Sequence, residues 1–160
     1  MQIPRFSVSF FCSLGVWRAV PACFMKEQMD EKQRWHFFIL YCMALSDADF
    51  AVAEREMLYT IGIENGITPE ALNQFITGIG LTSNIKPLIP AKTKDKVAVL
   101  YDLARMAWAD GVIEESERVL LKKYVLLFGF LESNADEIVT FLLDAIKNEV
   151  SLESILSQLQ

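Results

Sequence analysis

The 160-residue chain contains one histidine, His36, and three cysteines, Cys12, Cys23 and Cys42. One histidine excludes an HExxH zinc helix and leaves a single choice for any Ser-His-Asp arrangement. The cysteines show neither CxxC nor paired spacing, which argues against a zinc site or a disulfide framework. Cys42 reads as a small core residue in an apolar helical run. Neither a P-loop nor a GxGxxG turn occurs, and Gly78-Ile79-Gly80 reads as a helix end followed by a loop. Positive charge is also short. Fifteen Lys and Arg face 21 Asp and Glu, a net charge of −6, so the clustered basic surface of a nucleic-acid binder is lacking and no nucleic-acid partner is expected. No apolar run reaches the roughly 18–20 residues that cross a membrane as a helix, and no segment shows the strict alternation of a strand.

What remains is globular composition, 52% apolar and 22% charged, in a length that suits one domain with a real core. The first 24 residues stand apart. They carry Arg5 and Arg18 but no acidic group, and their apolar patch from Phe6 to Trp17 is broken by serines and a glycine. Three readings of residues 1–24 stand open. They are a secretory leader, an upstream start with Met25 as the true beginning, or an arm packed on the domain. Val20-Pro21-Ala22-Cys23 resembles a lipoprotein cleavage site, but Arg18 interrupts the apolar core and proline fits that site poorly. A cytoplasmic location is expected for a chain starting at Met25, and a membrane-anchored lipoprotein if residues 1–22 are a leader.

Residues 25–160 contain an internal repeat. Displaced by 63 positions, MALSDADFAVAEREML (43–58) falls on MAWADGVIEESERVLL (106–121). Met43 meets Met106, Ala44 meets Ala107, Asp47 meets Asp110, and Phe50 meets Ile113. Glu54, Arg55 and Leu58 then meet Glu117, Arg118 and Leu121. Each repeat, about 35–80 and 91–150, reads as helix, short loop, helix, third helix. Phe37, Leu40, Tyr41 and Ala44 recur at the three-and-four spacing of a buried helical stripe, as do Val99, Leu100, Leu103, Met106 and Ala107. Thr68-Pro69 predicts the start of the third helix in the first repeat, and Ser133 or Asn134 its counterpart. Ser151 predicts a short last helix. Gly62, Gly66 and Gly129 read as helix-end punctuation, and Thr82 to Pro90 as the connecting loop. The expected fold is all-α, a single bundle of six or seven helices in two pseudo-twofold-related halves.

Continuing each stripe by three residues brings Asp47 and Asp110 to the inward position, and Glu54 and Glu117 lead the apolar faces of the next helices. Buried carboxylates are costly unless something answers them. One answer is architectural. A glutamate at the third helical position reaches back to a free N–H of the first turn, and a loop aspartate bonds its own backbone. The usual Ser or Thr N-cap is missing, with Ala51 and Glu114 in its place. The other answer is a divalent cation, since oxygen-only clusters suit calcium, magnesium or manganese. An EF-hand is excluded because Val52 and Leu58 stand where its glycine and glutamate belong. Metal-dependent hydrolysis at the same cluster would further need a water-filled cleft. His36, beside Phe37 and Phe38, reads as a packing or capping residue. Lys92, Lys94 and Lys96 read as a solvated helix start or a landing place for an acidic partner, and Trp35 and Trp108 as core aromatics.

The stretch ADGVIEESERVLL (109–121), preceded by MAWAD, resembles the signature of the TerB-like helical domains, the family of the tellurite-resistance protein TerB and of the co-chaperone DjlA. Asp110, Gly111, Ile113, Glu117 and Leu121 match the pattern. The first repeat matches at Asp47, Phe50, Glu54 and Leu58, with Ala48 in place of the glycine. The resemblance covers about residues 35 to 150. It implies a duplicated all-helical domain that binds protein partners in stress response, without enzymatic activity. It also implies a divalent-cation site at Asp47, Glu54, Asp110 and Glu117. No J domain with its His-Pro-Asp accompanies it.

Overall fold

Several helix boundaries in this chain are set by capping side chains or by glycines within a few residues of the boundary. In the computed structural model, residues 29–46, 51–78 and 87–159 are described. They form α1 (Glu31–Ala44), α2 (Val52–Glu64), α3 (Pro69–Gly78), α4 (Thr93–Ala107), α5 (Glu115–Leu127), α6 (Glu132–Lys147) and α7 (Leu152–Gln158), with no strand among them. Residues 1–24, Asp47, Ala48, Phe50 and most of the connecting loop lie outside the described residues, and with them the readings placed there.

Asp30 opens α1 with a capping box that the repeat comparison does not reveal. Its carboxylate accepts the Gln33 N–H at 2.7 Å, and the Gln33 side chain accepts the Asp30 N–H at 3.0 Å. Thr68 opens α3 as its sequence predicts, its hydroxyl accepting the Ala71 N–H at 3.2 Å. Ser151 does the same for α7 through the Ser154 N–H. The start of α6 differs from expectation. The helix begins at Glu132 after Leu131, so Ser133 and Asn134 lie inside its first turn, where the Leu131 carbonyl accepts the Asn134 N–H at 3.0 Å.

Gly66 and Gly129 end α2 and α5 with φ of +73° and +85°. That left-handed turn lets the Ile67 N–H reach the Gly62 carbonyl at 2.9 Å, and the Phe130 N–H reach that of Val125 at 3.3 Å, satisfying carbonyls the helix leaves open. Gly62 itself is not punctuation. It lies buried within α2, where a Cβ would fall 2.4 Å from Leu72 Cδ1. Glycine therefore permits the close approach of α3 to α2. Gly62→Val is expected to destabilise the protein by about 1–3 kcal/mol through overpacking against the fully buried Leu72. Thermal melting checks this, and an unchanged melting temperature would mean that Leu72 moves aside freely.

The core gathers around α4, which packs against α1, α2, α5, α6 and α7. Leu100, Leu103 and Met106 of α4 are fully buried, with Phe37, Leu40 and Met43 of α1, Leu58 and Ile61 of α2, and Leu121 and Val125 of α5. These are the stripe positions read from the sequence, together with their neighbours on the same faces. Local correspondences follow the displacement of 63. α2 and α5 share their length and bounds, α3 and α6 share their starts, and α1 and α4 share their ends. No helix among the described residues is long and apolar enough to cross a membrane.

Candidate functional site

The joint between α4 and α5 has its counterpart, 63 residues earlier, between α1 and α2. Glu54 and Glu117 each occupy the third position of their helix. Glu54 accepts the Ala51 N–H at 2.8 Å, and Glu117 accepts the Glu114 N–H at 2.8 Å. Each thus closes its helix start from inside, without the Ser or Thr that usually completes the motif. Both are only 5% exposed, so the sequence placed them correctly on the inner side. One turn further on, Leu58 and Leu121 are fully buried.

Asp110 departs from expectation. It is exposed, and its Oδ1 accepts the Val112 N–H at 2.9 Å within its own turn. The reason lies in where the helix stops. α4 ends at Ala107, and Trp108 leaves helical geometry with φ −99° and ψ 5°. Extrapolating the stripe by three residues therefore carries it past the end of the helix, where the helical angle no longer sets direction. Gly111 then turns the chain with φ +83°, as its glycine predicts. Asp47, the fourth candidate, lies outside the described residues. Among the described residues, no three His, Cys, Asp or Glu side chains are grouped to hold a metal. Glu54, Asp110 and Glu117 each accept a backbone N–H through one carboxylate oxygen, and Asp110 faces solvent.

Burial pushes the Cys42 thiol up, away from thiolate, and His36 turns towards α4. There His36 Nε2 lies 3.2 Å from Asp102 Oδ2, within ion-pair distance but without the alignment of a hydrogen bond. Lys96 is not simply solvated. Its ammonium donates to the Phe128 carbonyl at 2.5 Å and sits 6.0 Å from the centre of the Phe130 ring.

The His36–Asp102 contact belongs to a larger group that sequence reading missed. Arg105 grips Glu64 at the end of α2 with both terminal nitrogens, at 2.5 Å and 3.1 Å, and reaches Asp102 at 3.5 Å. Tyr101 donates to the Val150 carbonyl at 2.9 Å, pinning the turn that leads into α7. Together these groups line a cleft of about 670 Å³ between α1, the end of α2, α4 and that turn. Asp102 is 8% exposed, although the position 63 earlier is Ile39. A signal existed: Asp102 falls three after Val99 and four before Met106, on the flank of the apolar stripe, with Arg105 three further on. A carboxylate beside a core stripe needs a partner, but the group that Asp102 joins draws on three helices, His36 from α1, Glu64 from α2 and Arg105 from α4 itself, and pairing across helices is invisible in a linear pattern.

Arg105 holds the Glu64 carboxyl below its ordinary value, and Glu64 in turn raises Arg105. A carboxylate whose value is depressed on folding contributes stability above its unfolded value of about 4.5, and that contribution disappears as pH falls through the folded value. Glu64→Gln is therefore expected to flatten the loss of melting temperature below about pH 4.5, with little change in slope above it. Glu64 is about half exposed, so the effect is modest. Parallel acid limbs in the two proteins would contradict this assignment.

A scan against protein-family models finds no match to the chain, and searches of curated proteins and of solved structures find none either.

Proposed function

We propose that the chain is a non-enzymatic helical module of the TerB-like type, built from two pseudo-twofold-related halves, that binds a partner protein. The observation that carries this reading is the matched use of the two buried glutamates. Glu54 and Glu117 close equivalent helix starts at 2.8 Å, so the most conspicuous interior charges serve the architecture. Function is then left to the surface. The hairpin of α5 and α6 carries large apolar side chains in the open, Leu131 at 69% and Phe141 at 48% exposure, the kind of surface that marks association when side chains cluster. Affinity capture followed by reconstitution with the recovered partner tests the reading. Leu131→Glu/Phe141→Glu is expected to keep its melting temperature and weaken binding by at least about tenfold. Failure to recover any stoichiometric partner would overturn the module reading.

A stress-response role and a divalent-cation site come from the family resemblance and are tested separately. With the carboxylates serving the fold, calcium, magnesium and manganese should shift the melting temperatures of wild type and Asp47→Asn/Asp110→Asn equally. A rise confined to wild type would establish a cation site that draws on Asp47, Asp110 or both.

A further inference from the structure

We propose that the cleft between α1, α4 and the turn into α7 receives a basic side chain, arginine or lysine, from a partner protein. The inference rests on the partner-binding reading only for the source of that side chain. Four carboxylates line the cleft, Glu64, Asp95, Asp102 and Glu153, against the two cationic side chains Lys32 and Arg105. Arg105 is already committed to Glu64 and Asp102. Asp95 and Glu153 form no ion pair among the described residues; Glu153 is exposed and Asp95 is half-buried. The opening is therefore negative.

The floor supplies an independent observation. Asp102 and His36 are nearly buried, at 11% and 13% side-chain exposure. Their facing atoms sit at 3.2 Å without a formed hydrogen bond, so His36 Nε2 is a buried polar atom lacking a partner. A buried carboxylate that is only partly satisfied favours an incoming N–H donor, because its field is less screened than at the surface. Arg105 shows that this chemistry already works here, with one guanidinium seated between two carboxylates. The volume of about 670 Å³ falls in the range of sites that enclose small ligands, about 300–1,000 Å³. That accommodates one long side chain with its flanking backbone. An anion would meet four carboxylates with only Lys32 uncommitted, and the net charge of −6 further favours the approach of cations.

His36 is the chain's only histidine, so its ring C–H signals in a proton NMR spectrum are assigned without ambiguity. The probe is the capped peptide acetyl-Gly-Arg-Gly-amide. A saturable shift of the His36 signals and of the amides of Ser151 to Glu153 is expected. The citrulline peptide, equal in shape but neutral, should leave them in place. Asp95→Asn/Glu153→Gln is isosteric at one half-buried and one exposed side chain, neither in an ion pair among the described residues, so it should keep the wild-type melting temperature and bind the arginine peptide about five- to tenfold more weakly. No response in wild type, an equal response to citrulline, or undiminished binding in the double variant would overturn the proposal. Spermidine binding more tightly than the peptide would overturn the protein source in favour of a free polyamine. The titration needs no partner, so its failure is separable from a failure of partner capture.

Discussion

Leu58→Ala and Leu121→Ala are each expected to lower stability by about 2–5 kcal/mol, among the largest effects of any single truncation in this protein. Both side chains are fully buried, both lie one turn after a buried glutamate, and both face the shared core. At roughly 2–4 °C per kcal/mol for a chain of this size, the melting temperature should fall by about 4–20 °C. The two variants also test the duplication. If the halves are equivalent, the two losses should agree within about 1 kcal/mol, the spread left by differences in how each site relaxes. Denaturant unfolding with an unchanged m-value gives the comparison directly. A loss of several kcal/mol at one site and almost none at the other would break the equivalence, whatever the sequence alignment suggests.

The second large effect concerns the glutamates. Removing one carboxylate leaves the N–H of Ala51 or Glu114 without its acceptor in a part-buried setting. Each loss should amount to about 1–3 kcal/mol, so Glu54→Ala/Glu117→Ala should lose roughly 2–6 kcal/mol if the two joints are independent. Asp110→Asn should change stability by less than about 0.5 kcal/mol, since the amide oxygen can still accept the Val112 N–H in an exposed turn. This ordering distinguishes a structural role from a ligand role. Residues that cap helices give a constant loss with or without added cation. Carboxylates that hold an ion would show their loss only when calcium, magnesium or manganese is present. A double variant as stable as wild type would show that other groups close both helix starts.

Much of the fold was legible before any coordinates, and particular residues show why. Period-3.6 stripes are local: Phe37, Leu40 and Ala44 of the first and Leu103, Met106 and Ala107 of the second pass into the core, while Tyr41 lies half-buried at its edge. Thr68 before Pro69, Ser151, Gly66 and Gly129 act within one turn of their own position. Their consequences could therefore be read along the chain. Gly62 shows the limit, because its meaning comes from Leu72 on another helix. Asp110 shows another. A helical projection holds only as far as the helix does, and α4 stops three residues short of it.

The same division applies to the sites. By itself the sequence determined an all-helical fold, the positions that form its core and the inward setting of Glu54 and Glu117, because these depend on periodicity and short-range backbone chemistry. Only the tertiary structure decided that Asp110 faces water and that His36, Glu64, Asp102 and Arg105 share one cleft. Those groups come from α1, α2 and α4 and meet only when the helices pack. Charge pairing acts over a few ångströms in space, whatever the separation along the chain.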